Sequence, residues 1–190
     1  MKLSNLHATG LTIALAGSVM MAQTPAPKTP APEPAAYSAY ADIKGDGISG
    51  TARLTEKKEG NGVVVQYTIQ VKGLTPGRHG VHLHAVGKCD PDFAAAGGHF
   101  DPGPASNTDP DANHPFHMGD LPNIEPRADG LAVAQGVTTR VTVSEGLLSV
   151  FDADGTAIIV HGNPDQGITG APKSGVSGGP RVACGVFTKK

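Results

Sequence analysis

Histidine is the residue type that dominates the chemistry available to this sequence. Eight histidines occur among 190 residues, and all except His7 lie between positions 79 and 161. A neutral imidazole is the commonest side-chain ligand of transition metals. One of its two nitrogens can bind the metal while a hydrogen bond to the other fixes the orientation of the ring. The clustering therefore makes metal binding the first function to consider.

Two of these histidines alternate along a predicted strand, Arg78-His-Gly-Val-His-Leu-His-Ala85. His82 and His84 are two positions apart, so both side chains point to one face with their Cα atoms about 7 Å apart. Both imidazoles can then reach one ion. His79 has the opposite parity and shares it with two aliphatic residues, so we expect it to face the core as a structural residue with its ring nitrogens paired to the backbone.

A second group of candidate ligands follows in a polar segment and consists of His99, His114, His117 and Asp120. Three imidazoles and one carboxylate are the number and types of ligand found in a closed tetrahedral zinc site. The segment 87–127 has too few apolar residues to order itself, and a bound ion would supply that order. The alternative is a solvated polar loop, which explains the Asp and Asn residues but not three histidines in nineteen positions.

Four further residues, three of them towards the C-terminal end, could contribute to a site. His161 ends the apolar run 157–161, where a lone histidine is ordinarily satisfied by a neighbour. The two cysteines, Cys89 and Cys184, permit one disulfide, which would tie Arg181 to the histidine-rich loop. In the chain-entropy model, closing this 95-residue loop stabilises the fold by about 4 to 5 kcal/mol at most.

Short strands are the elements that must position these residues. The chain has 26 Gly, 16 Pro and only eight aromatic residues, a composition typical of turn-rich, all-β proteins. The clearest period-two run is 63–71, and similar runs occur at 40–44, 50–55, 80–86, 130–134, 138–143, 157–161 and 182–187. Seven or eight short strands predict a sandwich or barrel. Segments 87–127 and 162–180 lack strand character and are predicted to be long functional loops.

The N-terminal region is predicted to direct export. Residues 1–22 have Lys2 followed by an apolar run that is typical of a signal peptide and too short to span a bilayer. Residues 23–36 form a Pro/Ala-rich linker, which argues against the alternative of an N-terminal core helix. The domain is then 37–190. Export to the periplasm or outside the cell provides an oxidising compartment that preserves a disulfide.

Five motifs in order make the stretch 40–187 resemble the copper/zinc superoxide dismutase family. They are Gly80-Val-His-Leu-His84, Gly97-Gly-His-Phe-Asp-Pro102, His117-Met-Gly-Asp-Leu-Pro122, Val160-His161 and Arg181-Val-Ala-Cys-Gly185. The resemblance implies an all-β Greek-key sandwich or flattened barrel of about eight antiparallel strands with two long functional loops.

The resemblance also implies roles for individual residues. The copper ligands are expected to be His82, His84, His99 and His161, and the zinc ligands His99, His114, His117 and Asp120. His99 is shared, because a deprotonated imidazole has a lone pair on each nitrogen. The family's spacing points to Asn107 for one zinc ligand, and we assign His114 instead. Asp165 is expected to link the two sites by hydrogen bonds, and Arg181 to lie beside the copper channel, where it and His99 take part in catalysis.

The implied function is dismutation of superoxide, a small anion, with copper as the redox ion and zinc as a structural one. With 15 Lys and Arg against 17 Asp and Glu, no basic field exists to hold a nucleic acid. No membrane span is expected in the mature form, and a homodimer remains open. The alternative is a non-catalytic exported copper-binding or chaperone-like relative, for which we would expect an incomplete copper set, no arginine or an added Cys-x-x-Cys domain. A purely structural exported module would have no use for seven clustered histidines.

Overall fold

Nine antiparallel strands and one turn of 3-10 helix form the regular structure of residues 37–103 and 107–190, the part of the chain that the computed structural model describes. The strands are β1 (Ser38–Gly45), β2 (Ile48–Glu59), β3 (Gly62–Lys72), β4 (His79–His84), β5 (Asp120–Ile124), β6 (Leu131–Thr138), β7 (Ala157–His161), β8 (Arg181–Val186) and β9 (Thr188–Lys189). The 3-10 turn is Phe93–Ala96. Within these residues, no helix has the length and apolar character needed to cross a membrane.

The strands follow the order β5-β4-β7-β8-β1-β2-β3-β6, with the short β9 paired to one end of β1. β5 and β6 lie at the two ends of this order and approach each other, so the sheet curls into a nearly closed, flattened barrel. The connections from β3 to β4 and from β6 to β7 pass over the neighbouring strands, which is Greek-key connectivity. The expected all-β Greek-key fold is therefore confirmed.

The core is filled by alternate residues of the strands. On β3, Val65, Tyr67, Ile69 and Val71 are buried, while Gln66 and Gln70 are exposed. This is the period of two that the sequence shows, because successive side chains of a strand point to opposite faces. Val63, at the start of the same run, is 37% exposed because β3 extends there beyond the core.

β4 differs from the other long strands because all six of its residues are buried. Val81 and Leu83 face the main core. The opposite face, which holds His82 and His84, is covered by the loops that follow β4 and β7. β4 pairs with β7 so that His82 is opposite Ile159 and His84 is opposite Ala157. His161, two residues past Ile159, belongs to the same covered face.

Two details of the strand prediction are wrong. Residues 138–143 do not form a separate strand, since β6 ends at Thr138 and the chain then turns. Val141 and Val143 are nevertheless buried, and the Glu56 carboxylate accepts the N–H groups of Val143 and Ser144 in place of a strand partner. Conversely, β5 lies inside the predicted loop 87–127, where Pro122 masks its short strand pattern.

Candidate metal centre

Four imidazoles meet on the covered face of β4. His82 and His84 project from β4 itself, with ring centroids 6.4 Å apart. The ring of His161, at the end of β7, lies 4.9 Å from that of His82. His99 comes from the loop after β4, with its ring centroid 4.1 Å from His82 and 4.9 Å from His84. One nitrogen from each of the four lies within 4.8 Å of the others, and all four residues are buried.

Backbone pairing positions His99 against β4. His99 forms an isolated antiparallel bridge with His84, and its N–H donates to the Thr108 carbonyl at 2.9 Å. Gly98 makes this approach possible, because a Cβ at that position would collide with the same carbonyl oxygen. The second glycine of the Gly97-Gly-His motif is therefore required by the close packing of two loop segments.

Each ring of the cluster has one nitrogen held by a fixed acceptor. His84 Nδ1 donates to the Gly97 carbonyl at 3.0 Å, and His161 Nδ1 donates to the Gly179 carbonyl at 3.1 Å. His82 Nε2 and His99 Nδ1 donate to the carboxylates of Asp165 at 2.9 Å and Asp120 at 2.7 Å. These bonds fix the rotation of each ring, as partners of metal-ligating histidines commonly do.

The other nitrogen of each ring has no partner. These atoms are His82 Nδ1, His84 Nε2, His99 Nε2 and His161 Nε2, all buried. Among the described residues, six of the seven buried side-chain N and O atoms that lack a partner belong to imidazoles. Buried polar atoms are ordinarily paired, so a convergent group of unpaired ones calls for a ligand. Four nitrogen donors fit copper.

A second group of side chains surrounds the carboxylate of Asp120. His99 Nδ1 lies 2.7 Å from one carboxylate oxygen, while His114 Nδ1 and His117 Nδ1 lie 3.3 Å and 3.1 Å from the other. His117 Nε2 has no partner. Three imidazole nitrogens that converge on one carboxylate form a donor set that fits zinc. The ligand atoms of His82, His99, His114 and Asp120 also lie within 4.8 Å of one another, which shows how closely the two groups adjoin.

Asp165 joins the two groups. Its carboxylate accepts from His82 Nε2 at 2.9 Å and from His114 Nε2 at 2.7 Å. Asn123 on β5 holds Asp165 in turn, because its side-chain amide pairs with both the N–H and the carbonyl of that residue, each at 2.8 Å. Asn123 was not singled out from the sequence. The two positions are 42 residues apart, and an Asn inside a short strand gives no signal of such a contact.

The two groups differ in their protonation. Burial lowers the pKa of His99 and of His161 to about 3, and that of His84 well below its ordinary value, which leaves these rings neutral and free to bind a metal. Burial also opposes the charged form of His114, but the carboxylates of Asp120 and Asp165 outweigh it and raise the pKa of His114 to about 9. Burial would raise the pKa of Asp120, yet hydrogen bonds from His114, His117 and His99 hold it far below its usual range.

Arg181 lies beside the four-histidine cluster. Its guanidinium donates to the carbonyls of Phe93 at 2.7 Å and Gly97 at 2.6 Å. Gly97 therefore accepts from both Arg181 and His84, which links the orientation of the arginine to that of the imidazole. Arg181, His161 and Lys173 are among the residues that line an open cleft of about 560 Å³. A small anion that enters this cleft meets two cationic side chains, although Asp109 and Asp111 also line it.

Two structural expectations are met around the cluster. His79 is buried and faces the core, with Nδ1 2.7 Å from the His161 carbonyl and Nε2 2.9 Å from the Thr75 carbonyl. Cys89 and Cys184 form the expected disulfide, with their Cα atoms 5.8 Å apart. Cys184 is on β8, three residues after Arg181, so the bond ties the arginine's strand to the loop after β4.

Comparison with known proteins agrees with this geometry. The family model for copper/zinc superoxide dismutase (SODC) matches residues 48–187. A superoxide dismutase [Cu-Zn] from Caulobacter vibrioides is 42% identical over 160 residues, which cover 79% of this chain and 85% of the relative. One from Onchocerca volvulus is 36% identical over 159 residues, which cover 78% of this chain and 94% of the relative.

A solved structure titled "Crystal Structure Analysis of the clock protein EA4" has the same fold. Its TM-score is 0.65 at 26% sequence identity, and the match covers 79% of this chain and 92% of the other. The family match spans more than half of the sequence and includes every residue of the two histidine groups. The chain belongs to the copper/zinc superoxide dismutase family.

Proposed function

We propose that this protein dismutes superoxide to dioxygen and hydrogen peroxide with copper and zinc bound side by side. The observation that carries the proposal is the convergence of four unpaired, buried imidazole nitrogens within 4.8 Å, next to a group of three imidazoles and a carboxylate. Copper fits the first group and zinc the second. The family and its named relatives support the same activity.

The free nitrogens support a ligand assignment for copper, and the nitrogens that converge on Asp120 support one for zinc. The atoms proposed to hold copper are His82 Nδ1, His84 Nε2, His99 Nε2 and His161 Nε2. The atoms proposed to hold zinc are Nδ1 of His99, His114 and His117 and a carboxylate oxygen of Asp120. His99 then contributes one nitrogen to each ion. His114 is favoured over Asn107 because its ring lies between two carboxylates, with Nδ1 3.3 Å from Asp120 and Nε2 2.7 Å from Asp165.

The residues of the chain have separate tasks in this reaction. Copper, when bound, supplies an acceptor and donor of single electrons, which zinc does not. Two superoxide anions and two protons give one dioxygen and one hydrogen peroxide. Arg181 attracts and orients the anion, because its charge lies in the cleft beside His161. His99 Nε2 could hold a proton for the product whenever that nitrogen is free, and Nδ1 would keep the ring in place, through zinc when the ion is bound and through Asp120 when it is not.

The function is tested by metal analysis of the purified protein together with a superoxide-consumption assay. We expect one copper and one zinc per chain and a rate that follows the copper content. Copper without activity would instead favour a non-catalytic copper-binding or chaperone-like protein. A protein that binds neither ion would contradict the proposal and favour a structural module.

Replacing Arg181 by alanine is expected to lower the second-order rate constant about tenfold and to weaken its dependence on salt, while bound copper stays unchanged. The reason is that the arginine acts on the anion and its hydrogen bonds go to carbonyls rather than to a metal. The measurement is the rate at several ionic strengths with copper analysis of the same samples. Arg53→Ala is the control, because it removes an equal charge from an exposed position on β2. Loss of copper from Arg181→Ala, or an equal effect in the control, would contradict this role.

Zinc binding to the metal-free protein is expected to weaken about tenfold for each pH unit lowered between pH 8 and 6. His114 has its pKa raised to about 9, so it is protonated over this range and zinc must displace a proton. Competition with a chelator at several pH values measures the slope. Asp165→Asn removes one of the two carboxylates that raise this pKa and should therefore flatten the slope. A zinc affinity that is constant from pH 6 to 8 would contradict the assignment.

The proposal includes export of the mature domain. Residues 1–36, which hold the expected signal peptide (1–22) and linker (23–36), lie outside the described residues, and β1 begins at Ser38. The Cys89–Cys184 disulfide suits an oxidising compartment, either the periplasm or the medium. Cell fractionation and N-terminal sequencing of the mature protein test this proposal, and the elution volume of the mature protein tests whether it forms a homodimer. An N-terminus at Met1 in a cytoplasmic fraction would contradict export.

A further inference from the structure

Two segments cover the proposed copper site, and hydrogen bonds join them at three places. We refer to residues 107–119 as the zinc loop and to residues 162–180 as the channel loop. Asp165 provides one connection through the imidazole of His114, and the Thr169 hydroxyl provides another by donating to the His114 carbonyl at 2.8 Å. Asp111 provides the third, and its carboxylate contacts no imidazole. This third connection involves no residue of the ligand assignment above.

Asp111 is almost completely buried and all of its acceptor atoms are used. One carboxylate oxygen accepts the Gly175 N–H at 2.9 Å. The other accepts the Ser177 N–H at 3.1 Å and the Ser177 hydroxyl at 2.9 Å. The Asp111 carbonyl also accepts the Gly170 N–H at 2.7 Å. The Asp111 side chain therefore holds two residues of the channel loop, and its backbone carbonyl holds a third.

The carboxylate of Asp111 is suited to this role because it stays ionised. Burial raises its pKa, but the hydrogen bonds from Gly175 and Ser177 outweigh burial and lower it. Hydrogen bonds to an ionised acceptor are about twice as strong as neutral ones. The connection is therefore made by a charged carboxylate that is not among the proposed metal ligands.

The segment that Asp111 holds continues directly to a copper ligand. Two residues beyond Ser177, the Gly179 carbonyl accepts from His161 Nδ1 at 3.1 Å. Gly178 lies between them with a φ of 113°, and a Cβ at this position would meet the His161 side chain. The Gly178 carbonyl also accepts the Asn163 N–H at 3.1 Å. The turn that follows Ser177 is thus packed against the His161 ring and sets the position of its acceptor.

We propose that Asp111 is a positioning residue for copper: by holding Gly175 and Ser177, it places the Gly179 carbonyl that fixes the rotation and tautomer of His161. The same hydrogen bonds shape the cleft, since Asp111, Ser177, Gly179 and Arg181 all line it. This inference rests on the proposed function for the identity of the ion. It adds a route by which the zinc loop controls the geometry of the copper site without a zinc ligand taking part.

Three variants of the full mature protein, loaded with copper and zinc, test the proposal. Asp111→Ala removes every side-chain hydrogen bond, Asp111→Asn keeps one acceptor oxygen, and Ser177→Ala removes only the hydroxyl donor. Asp129→Asn is the matched control, because the Asp129 carboxylate also accepts a backbone N–H, from Leu131, but is exposed in the turn before β6. The readouts are the electron paramagnetic resonance and visible spectra of Cu(II), copper content, and turnover per bound copper.

We expect copper to remain bound in all four variants. The Cu(II) spectrum should change most in Asp111→Ala, less in Asp111→Asn and least in Ser177→Ala. Turnover per bound copper should fall about tenfold in Asp111→Ala, because misplacing a reacting group by a fraction of an ångström has effects of this size. Asp129→Asn should match the parent protein in every readout.

The proposal is overturned if the Asp111 variants lose thermal stability but keep the parent Cu(II) spectrum, since that result describes a merely structural residue. If Asp111→Ala does not fold, the two milder variants decide the question by the same spectral comparison. The spectra report on His161 whether or not the protein consumes superoxide. A parent protein without activity would therefore defeat the proposed function and leave the test of Asp111 intact.

Discussion

Replacing His84 by alanine is expected to remove copper and to lower superoxide dismutation more than a hundredfold. Losing a partner of a metal ligand costs about 10- to 100-fold, and losing a ligand itself should cost more. His84 is completely buried, Nδ1 is held by Gly97, and Nε2 has no partner except the proposed ion. Copper analysis and the rate per protein chain measure the effect. Zinc should remain bound, because His84 offers no ligand atom to the group around Asp120, and its neighbour His99 keeps Nδ1 directed at that carboxylate.

His79→Ala is the control that makes the His84 result specific. Both residues are buried imidazoles on β4, but the two nitrogens of His79 are paired with the carbonyls of His161 and Thr75. We expect His79→Ala to destabilise the protein by about 1 to 3 kcal/mol, because the substitution leaves a cavity and removes the ring N–H that one of these carbonyls accepts. Copper should stay bound. If both variants lose copper equally, the four-nitrogen assignment is wrong for His84.

Strand periodicity is what made this contrast predictable from the sequence. His82 and His84 share one parity of β4, and His79 shares the other with Val81 and Leu83. A period of two assigns these sets to opposite faces whatever the strand pairs with. The structure confirms the division, with Val81 and Leu83 in the main core and His82 beside His84 on the covered face.

The contacts that hold the imidazoles could not be predicted in the same way. The acceptors of His84 and His161 are the backbone carbonyls of Gly97 and Gly179, and a carbonyl has no signature in the residue type. Asn123 and Asp111 act across 42 and 66 positions, and their distances depend on how two loops pack rather than on any local period. The family resemblance predicted the role of Asp165, but the residues that hold Asp165 in place could be identified only from the structure.

The sequence also predicted two strand boundaries wrongly, at residues 138–143 and at β5, and both errors have the same cause. Residues 138–143 alternate like a strand, yet the Glu56 carboxylate takes the place of a strand partner. β5 contains a proline and is only five residues long, but pairing with β4 makes it a strand. In both segments a partner that is distant in sequence decides the conformation, so local propensity is overridden.

Removing the disulfide is expected to lower the stability of the fold substantially. Replacing Cys184 by serine, together with Cys89→Ser to avoid a free thiol, should lower the free energy of unfolding of the metal-free protein by about 2 to 5 kcal/mol. The bond closes a loop of 95 residues, so it restricts the unfolded chain strongly. Urea denaturation of the metal-free parent and variant measures the difference.

The loss should extend from stability to the site, because the disulfide packs against the turn that orients Arg181. Cys184 lies in a small apolar cluster with Ala96, Ala157 and Ile159, and Cys89 and Phe93 pack against it. The carbonyls at either end of that turn, of Phe93 and Gly97, accept the Arg181 guanidinium, and Gly97 also fixes His84. A looser turn should therefore lower turnover per bound copper as well.

Treating the parent protein with a reductant is the control. Its unfolding curve should move to that of the double serine variant, whose own curve should not change with the reductant. If the parent keeps its stability after the bond has been reduced, the β-barrel needs no covalent link at this position, and the proposed coupling of the bond to Arg181 is wrong as well.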